Sequence, residues 1–130
     1  MPQFVAPFTI KDGSATPADV TYGPEKLSSS ESLLVDRRLP SRDQNPTIKI
    51  SFETPIPQRR SYKNITEATL PIVRTVGGVD TVMRPGRANL KFDLPENMTE
   101  QERKHLFAMI INGTQQAFVK AGVTGLDPLY

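Results

Sequence analysis

Two stretches of the chain set cations beside small hydrogen-bonding side chains at alternate positions: Thr47, Lys49 and Ser51 in the first, Arg87, Asn89 and Lys91 in the second. Alternate residues of an extended strand share a face, so each triplet would stand on one side of its strand. Ammonium and guanidinium groups neutralise phosphates, while Asn, Ser and Thr bond base edges or sugar hydroxyls, a combination suited to RNA. The opposite sides are apolar, with Ile48, Ile50 and Phe52 in one strand and Ala88, Leu90, Phe92 and Leu94 in the other. Any antiparallel sheet with one solvated side also has a polar face, and the residue pattern by itself leaves both readings open.

Other chemistry finds poor material. The only histidine, His105, lies among Glu102, Arg103 and Lys104 early in an expected helix, where a solvated role suffices. There is no Gly-x-Ser-x-Gly, phosphate-binding loop or His-Glu-x-x-His pattern, and Gly77-Gly78 is too short to cradle phosphate. The chain has no cysteine, which removes disulfides, thiolate zinc and a cysteine nucleophile together. Neither a catalytic centre nor a metal or cofactor site is expected. Asn64, Asn97 and Asn112 open Asn-x-Ser/Thr triplets, read as coincidence because Met1 to Phe8 lacks the basic and long apolar regions of a signal peptide. With no apolar run of membrane-spanning length, the protein is expected to be cytosolic when made. The Arg37-Arg38 and Arg59-Arg60 pairs fall at strand ends, where charge also serves to protect an edge. Formal net charge is only +2, so contact with nucleic acid must come from local segregation of charge.

The elements that would position these residues belong to an α+β chain. Twelve prolines and eight glycines spread over 130 residues speak for short strands and many turns in a single domain. Phe4 to Ile10 and Ala18 to Tyr22 are expected to form a hairpin about a tight Asp12-Gly13 turn, followed by a Gly23-Pro24 turn and a Ser-rich connection to Ser30. Ser32 to Val35 opens a strand, Leu39 to Pro46 is a loop, and Thr47 to Glu53 alternates without a fault. Ser61 to Val73 reads as extended, with a register blurred around Asn64 and Glu67. Thr75 to Val79 is a turn or flexible loop, and Arg84-Pro85-Gly86 closes that excursion before the strand Arg87 to Leu94.

Past Pro95 the period changes to helical. Thr99 and Glu102 fit a capping box, and Leu106, Phe107, Ile110, Ala117, Phe118 and Ala121 share one stripe. Asn112-Gly113 is expected to kink the run into two helices, with Thr114 capping the second and Gly122 ending it.

Four local strings, in order and at matching spacing, resemble the coat proteins of the single-stranded RNA phages, the leviviruses and alloleviviruses, over nearly the whole chain. Gln58-Arg59-Arg60-Ser61-Tyr62-Lys63 is similar to the basic segment that opens the family's fifth strand, and Thr75-Val76-Gly77-Gly78-Val79 to the loop between its sixth and seventh strands. Thr99-Glu100-Gln101-Glu102-Arg103 resembles the acidic start of the first helix. Leu126-Asp127-Pro128-Leu129-Tyr130 resembles the allolevivirus ending Leu-Asn-Pro-Ala-Tyr.

The resemblance implies one coat-protein domain over 1–130: an N-terminal hairpin (1–24), a five-stranded antiparallel main sheet (30–95), two helices (98–122) and a tail (123–130). It implies a homodimer with one continuous sheet, helices reaching over the partner subunit around Leu106, Phe107, Ile110 and Phe118, and an icosahedral shell assembled in the bacterial host cytoplasm as part of the virion. By strand position the family's RNA contacts fall on Thr47, Lys49, Ser51, Ser61, Lys63, Arg87, Asn89 and Lys91. The ligand would be a stem-loop of the single-stranded phage RNA at the start of the replicase gene, whose binding represses translation. Thr75, Val76, Gly77, Gly78, Val79 and Pro85 match the loop that joins dimers around symmetry axes. Relatives place a base-stacking tyrosine where this chain has Arg87, and alloleviviruses cross-link the loop with cysteines that are absent here. No cofactor, membrane or small-molecule substrate is implied. The alternative is a cellular dimeric RNA-binding translational regulator that forms no shells.

Overall fold

The computed structural model describes residues 7–28, 30–38 and 42–126. Its strands are β1 (Phe8–Lys11), β2 (Asp19–Leu27), β3 (Glu31–Val35), β4 (Thr47–Glu53), β5 (Ser61–Val76) and β6 (Val79–Pro95). They lie in one sheet in chain order, and a single-turn 3-10 helix, Arg42–Gln44, precedes β4. The helices are α1 (Glu100–Thr114) and α2 (Ala117–Thr124). The chain divides into two compact units, residues up to Asp93 and residues from Leu94 onward. The α+β class and the order of elements match expectation, with six strands among the described residues. The expected first arm begins outside the described residues at Phe4, and Leu39 to Ser41 and the ending from Asp127 lie outside them too.

The N-terminal hairpin differs from expectation at its turn. Gly13 has no positive φ, and the loop closes where the Asp12 amide donates to the Ala18 carbonyl at 2.9 Å. The Asp12 carboxylate organises this wider turn by accepting from the Ser14 hydroxyl at 2.6 Å, the Ala18 amide at 3.0 Å and the Ser14 amide at 3.2 Å. Those donors, the Ser14 hydroxyl foremost, hold the Asp12 carboxyl down at about 2. An ion pair from Lys11 to Asp19 at 2.6 Å follows at the next level of the ladder.

Gly23-Pro24 is not a turn. β2 runs through it to Leu27 and pairs with β3, with a register shift between Pro24 and Lys26. Proline cannot donate to a ladder, and an irregularity is where a sheet accommodates one. Because β2 outruns the hairpin, it is at once the hairpin's second arm and the first of the five main-sheet strands, β2 to β6.

Of the turn or flexible loop expected over Thr75 to Val79 the turn forms, while the excursion on to Gly86 is strand. β5 and β6 continue to a two-residue turn at Gly77 (φ 59°) and Gly78 (φ 82°). Two successive positive φ values are what a tight hairpin requires, and glycine meets them without a Cβ clash. Thr75 Oγ1 donates to Asp80 Oδ1 at 3.0 Å, and further down Asn89 reaches Glu67. Eight positions separate Glu67 from Thr75 on β5, yet nine separate Asp80 from Asn89 on β6. One extra residue therefore shifts the facing of β6 in the stretch that holds Pro85 and Gly86, as a bulge does.

The helices also differ in their joint. α1 begins with the expected capping box: Thr99 accepts from the Glu102 amide at 3.2 Å and the Glu102 carboxylate accepts from the Thr99 amide at 3.0 Å. It runs through Gly113 to Thr114, whose hydroxyl donates back to the Ile111 carbonyl at 2.9 Å and so does not cap α2. The break falls at Gln115 and Gln116, and α2 passes Gly122 to end at Thr124.

Among the described residues of the first unit the buried apolar ones are Val20, Leu34 and Val35. Leu34 and Val35 are neighbours on a strand and point to opposite faces, so β3 is covered on both sides. Beside them Asp36 is buried and meets Arg38, Nε at 2.9 Å and Nη2 at 2.8 Å. A buried carboxylate requires such a partner. Burial of Tyr22, with the Asp36 charge near it, pushes that phenol up.

Candidate nucleic-acid interface

The pairing of β4 with β5 decides which side chains share a face. Thr47 stands across from Thr69, Lys49 from Glu67, Ser51 from Ile65 and Glu53 from Lys63. Opposite residues of an antiparallel ladder project to the same side, so these eight stand together. β3 adds Glu31, Leu33 and Val35, which pair with Ser51, Lys49 and Thr47. β6 joins through Asn89, whose Nδ2 donates to Glu67 Oε1 at 3.1 Å. By alternation Arg87 and Lys91 lie on that side as well.

The two polar triplets of the sequence thus come to one surface. Arg87, Asn89 and Lys91 are exposed, and Thr47, Lys49, Ser51 and Lys63 are partly so. Ser61 falls on the same side by alternation but is only 9% exposed, so it offers a surface ligand little area. A depression of about 280 Å³ lies between Glu67 to Thr69 and Arg87 to Asn89. That is room for roughly nine waters.

The sequence pattern understated the carboxylates on this face. Glu53 could be read from alternation, Glu67 was hidden by the blurred register of β5, and nothing in the order of residues set Glu31 beside Lys49. Asp93 stands on this side as well by the alternation of β6, and each of the other three carboxylates has a neighbour. Glu31 lies 3.7 Å from Lys26 and 3.8 Å from Lys49, Glu67 accepts from Asn89, and Glu53 lies 3.1 Å from Arg59 Nη1. The face is therefore a mixed surface on which Glu31, Glu53 and Glu67 are internally engaged. Among the described residues no cluster of His, Cys, Asp or Glu could hold a metal ion.

The other expected sites are apolar and for the most part exposed. At the β5–β6 tip Val76 and Val79 flank the Gly77-Gly78 turn and are exposed, with Thr75 bonded to Asp80 and Pro85 further along β6. In the helices Leu106 is half-buried, while Phe107 is 55%, Ile110 38% and Phe118 62% exposed, and neither helix has a buried residue. Met98, His105, Leu106 and Met109 line an open groove along α1. No helix among the described residues is long and apolar enough to cross a membrane.

A model of the levivirus coat protein family matches residues 2–130. No curated protein matches the sequence. Among solved structures, the fold is similar to that of the virus-like particle of bacteriophage ESE058, with a TM-score of 0.86 at 22% identity over 99% of this chain and 100% of that one. It is also similar to the virus-like particle of Beihai levi-like virus 21, with a TM-score of 0.84 at 18% identity over 97% of this chain and 98% of the other. The bacteriophage GA protein capsid gives a TM-score of 0.70 at 14% identity over 95% and 96%. At such identities the structural likeness is one of fold.

Proposed function

The chain belongs to the levivirus coat protein family and is a structural, non-enzymatic capsid protein, and from that premise we propose that it acts as a homodimer which closes an icosahedral shell around RNA. The observation that carries this reading is the apolar stripe of Phe107, Ile110 and Phe118, exposed in a single chain. Isolated aromatic residues on a surface need no explanation, but several large apolar side chains exposed on helices that bury nothing call for a cover. A second copy supplies it in an isologous contact, where each subunit gives the other the same patch. The β6 edge, last in the sheet among the described residues, pairs in the same step and loses its open row of backbone groups. The β5–β6 tip with Val76 and Val79 then joins dimer to dimer.

In this reading the whole chain works as one coat-protein domain, and the polar sheet face receives RNA. Lys49, Lys63, Arg87 and Lys91 supply phosphate contacts, and Thr47, Ser51 and Asn89 supply bonds to sugar or base edges. A stem-loop ligand and repression of replicase translation follow from the family resemblance, with Arg87 stacking on a base in place of the relatives' tyrosine. Assembly takes place in the bacterial host cytoplasm.

Expression of the chain alone in bacteria tests both activities. Size exclusion and electron microscopy are expected to show uniform spheres holding nuclease-protected RNA, and Lys49→Glu with Lys91→Glu is expected to lower the RNA content. A species no larger than a dimer at all salt and protein concentrations would return the reading to the shell-less cellular regulator.

A further inference from the structure

Lys63 raises a question of charge. Its partner across the β4–β5 ladder is Glu53, and opposite charges directly across a sheet ordinarily attract one another. Yet the Glu53 carboxylate is turned to Arg59, 3.1 Å from Nη1, and no ion pair joins it to Lys63. Arg59 is held in that position on three sides. Its Nη2 donates to the Thr54 carbonyl at 2.9 Å and its Nε to the Ser61 carbonyl at 3.3 Å. Its backbone closes a turn with Ile56, each amide donating to the other's carbonyl at 2.9 Å. The Arg59 side chain is 25% exposed, against 52% for Glu53, and its guanidinium is already engaged, poorly placed to meet a phosphate itself.

We propose that Arg59 is a positioning residue of the RNA face: it takes the Glu53 carboxylate away from Lys63 and leaves the Lys63 ammonium to an RNA phosphate. This rests on the RNA-binding reading above. The basic Arg59-Arg60 pair then divides its work, with Arg59 facing inward to the loop rather than outward to the ligand. A guanidinium suits this role because its planar fork binds a carboxylate and two carbonyls at once, which an ammonium on a flexible stem does not.

The test uses the full chain below its assembly concentration and a short synthetic RNA hairpin, since the phosphate term does not depend on base sequence. Lys63→Gln is expected to weaken binding about five-fold at physiological salt and to reduce the slope of log affinity against log salt by about one. Arg59→Gln is expected to do the same. In Arg59→Gln/Lys63→Gln the two losses do not add, and Glu53→Gln restores binding to the Arg59→Gln protein whereas Asp19→Asn, on the N-terminal hairpin, does not. If Arg59 touches RNA itself, its loss adds to that of Lys63. If it only shapes the loop, Glu53→Gln fails to rescue; either result overturns the proposal. Should Lys63→Gln leave the salt slope unchanged, the RNA face itself is misassigned and the inference falls with it.

Discussion

The strand β3 and the helix α1 treat their apolar residues in opposite ways. Leu34 is fully buried on β3 and Val35 is 1% exposed, whereas α1 carries Phe107, Met109 and Ile110 into solvent and buries nothing. One region is completed by its own chain. The other leaves a comparable apolar face largely in solvent, and in the dimer proposed above a partner would supply the contact that realises its hydrophobic contribution.

The two regions are therefore expected to respond differently to protein concentration. Leu34→Ala leaves a cavity that nothing can fill and should lower unfolding stability by about 3 kcal/mol at any concentration, measured as the urea midpoint. A next, smaller effect is expected from Phe118→Ala, about 2 kcal/mol of association free energy. It should appear as weaker dimerisation in sedimentation equilibrium and a loss of stability that more protein restores. A Phe118→Ala protein whose stability is lowered equally at all concentrations would erase the distinction.

The smallest effect belongs to the far end of the first unit, at Asp12. Its carboxyl is held at about 2 in the fold against an ordinary 3.8, so the folded state favours the charged form. The contribution to the turn is complete above about 3.8 and is lost as pH falls toward 2. The group is exposed, so the change is expected only in amide exchange at Ser14 and Ala18, with the rest of the sheet unaffected. Asp12→Asn should show the same weakened protection at neutral pH.

Much of this was legible in the order of residues. The strand Thr47–Glu53, the alternation of Arg87 to Leu94 and the Thr99 capping box came directly from period and cap chemistry, which are local. The errors share a cause. Gly13, Gly23-Pro24 and Pro85-Gly86 are strong turn formers in isolation, and each was overridden by neighbours: a carboxylate that widened one turn, and strands β3 and β5 that carried their partners on through the others. Asn112-Gly113 likewise stayed helical because the helix closed two residues later, where the amides of Gln115 and Gln116 reach carbonyls three residues back.

The candidate face divides in the same way. Alternation settled that Lys49 and Lys91 each stand with small polar groups, because a strand's period is a property of its backbone. Register decided the rest: that Lys49 lies across from Glu67, that Lys63 lies across from a Glu53 held by Arg59, and that Ser61 is withdrawn from the surface. A shift of one residue would exchange every partner while leaving each strand's own pattern intact. The sequence by itself determined the kinds of side chain each face could offer. Only the tertiary structure determined which charges meet, since that depends on contacts between residues far apart in the chain.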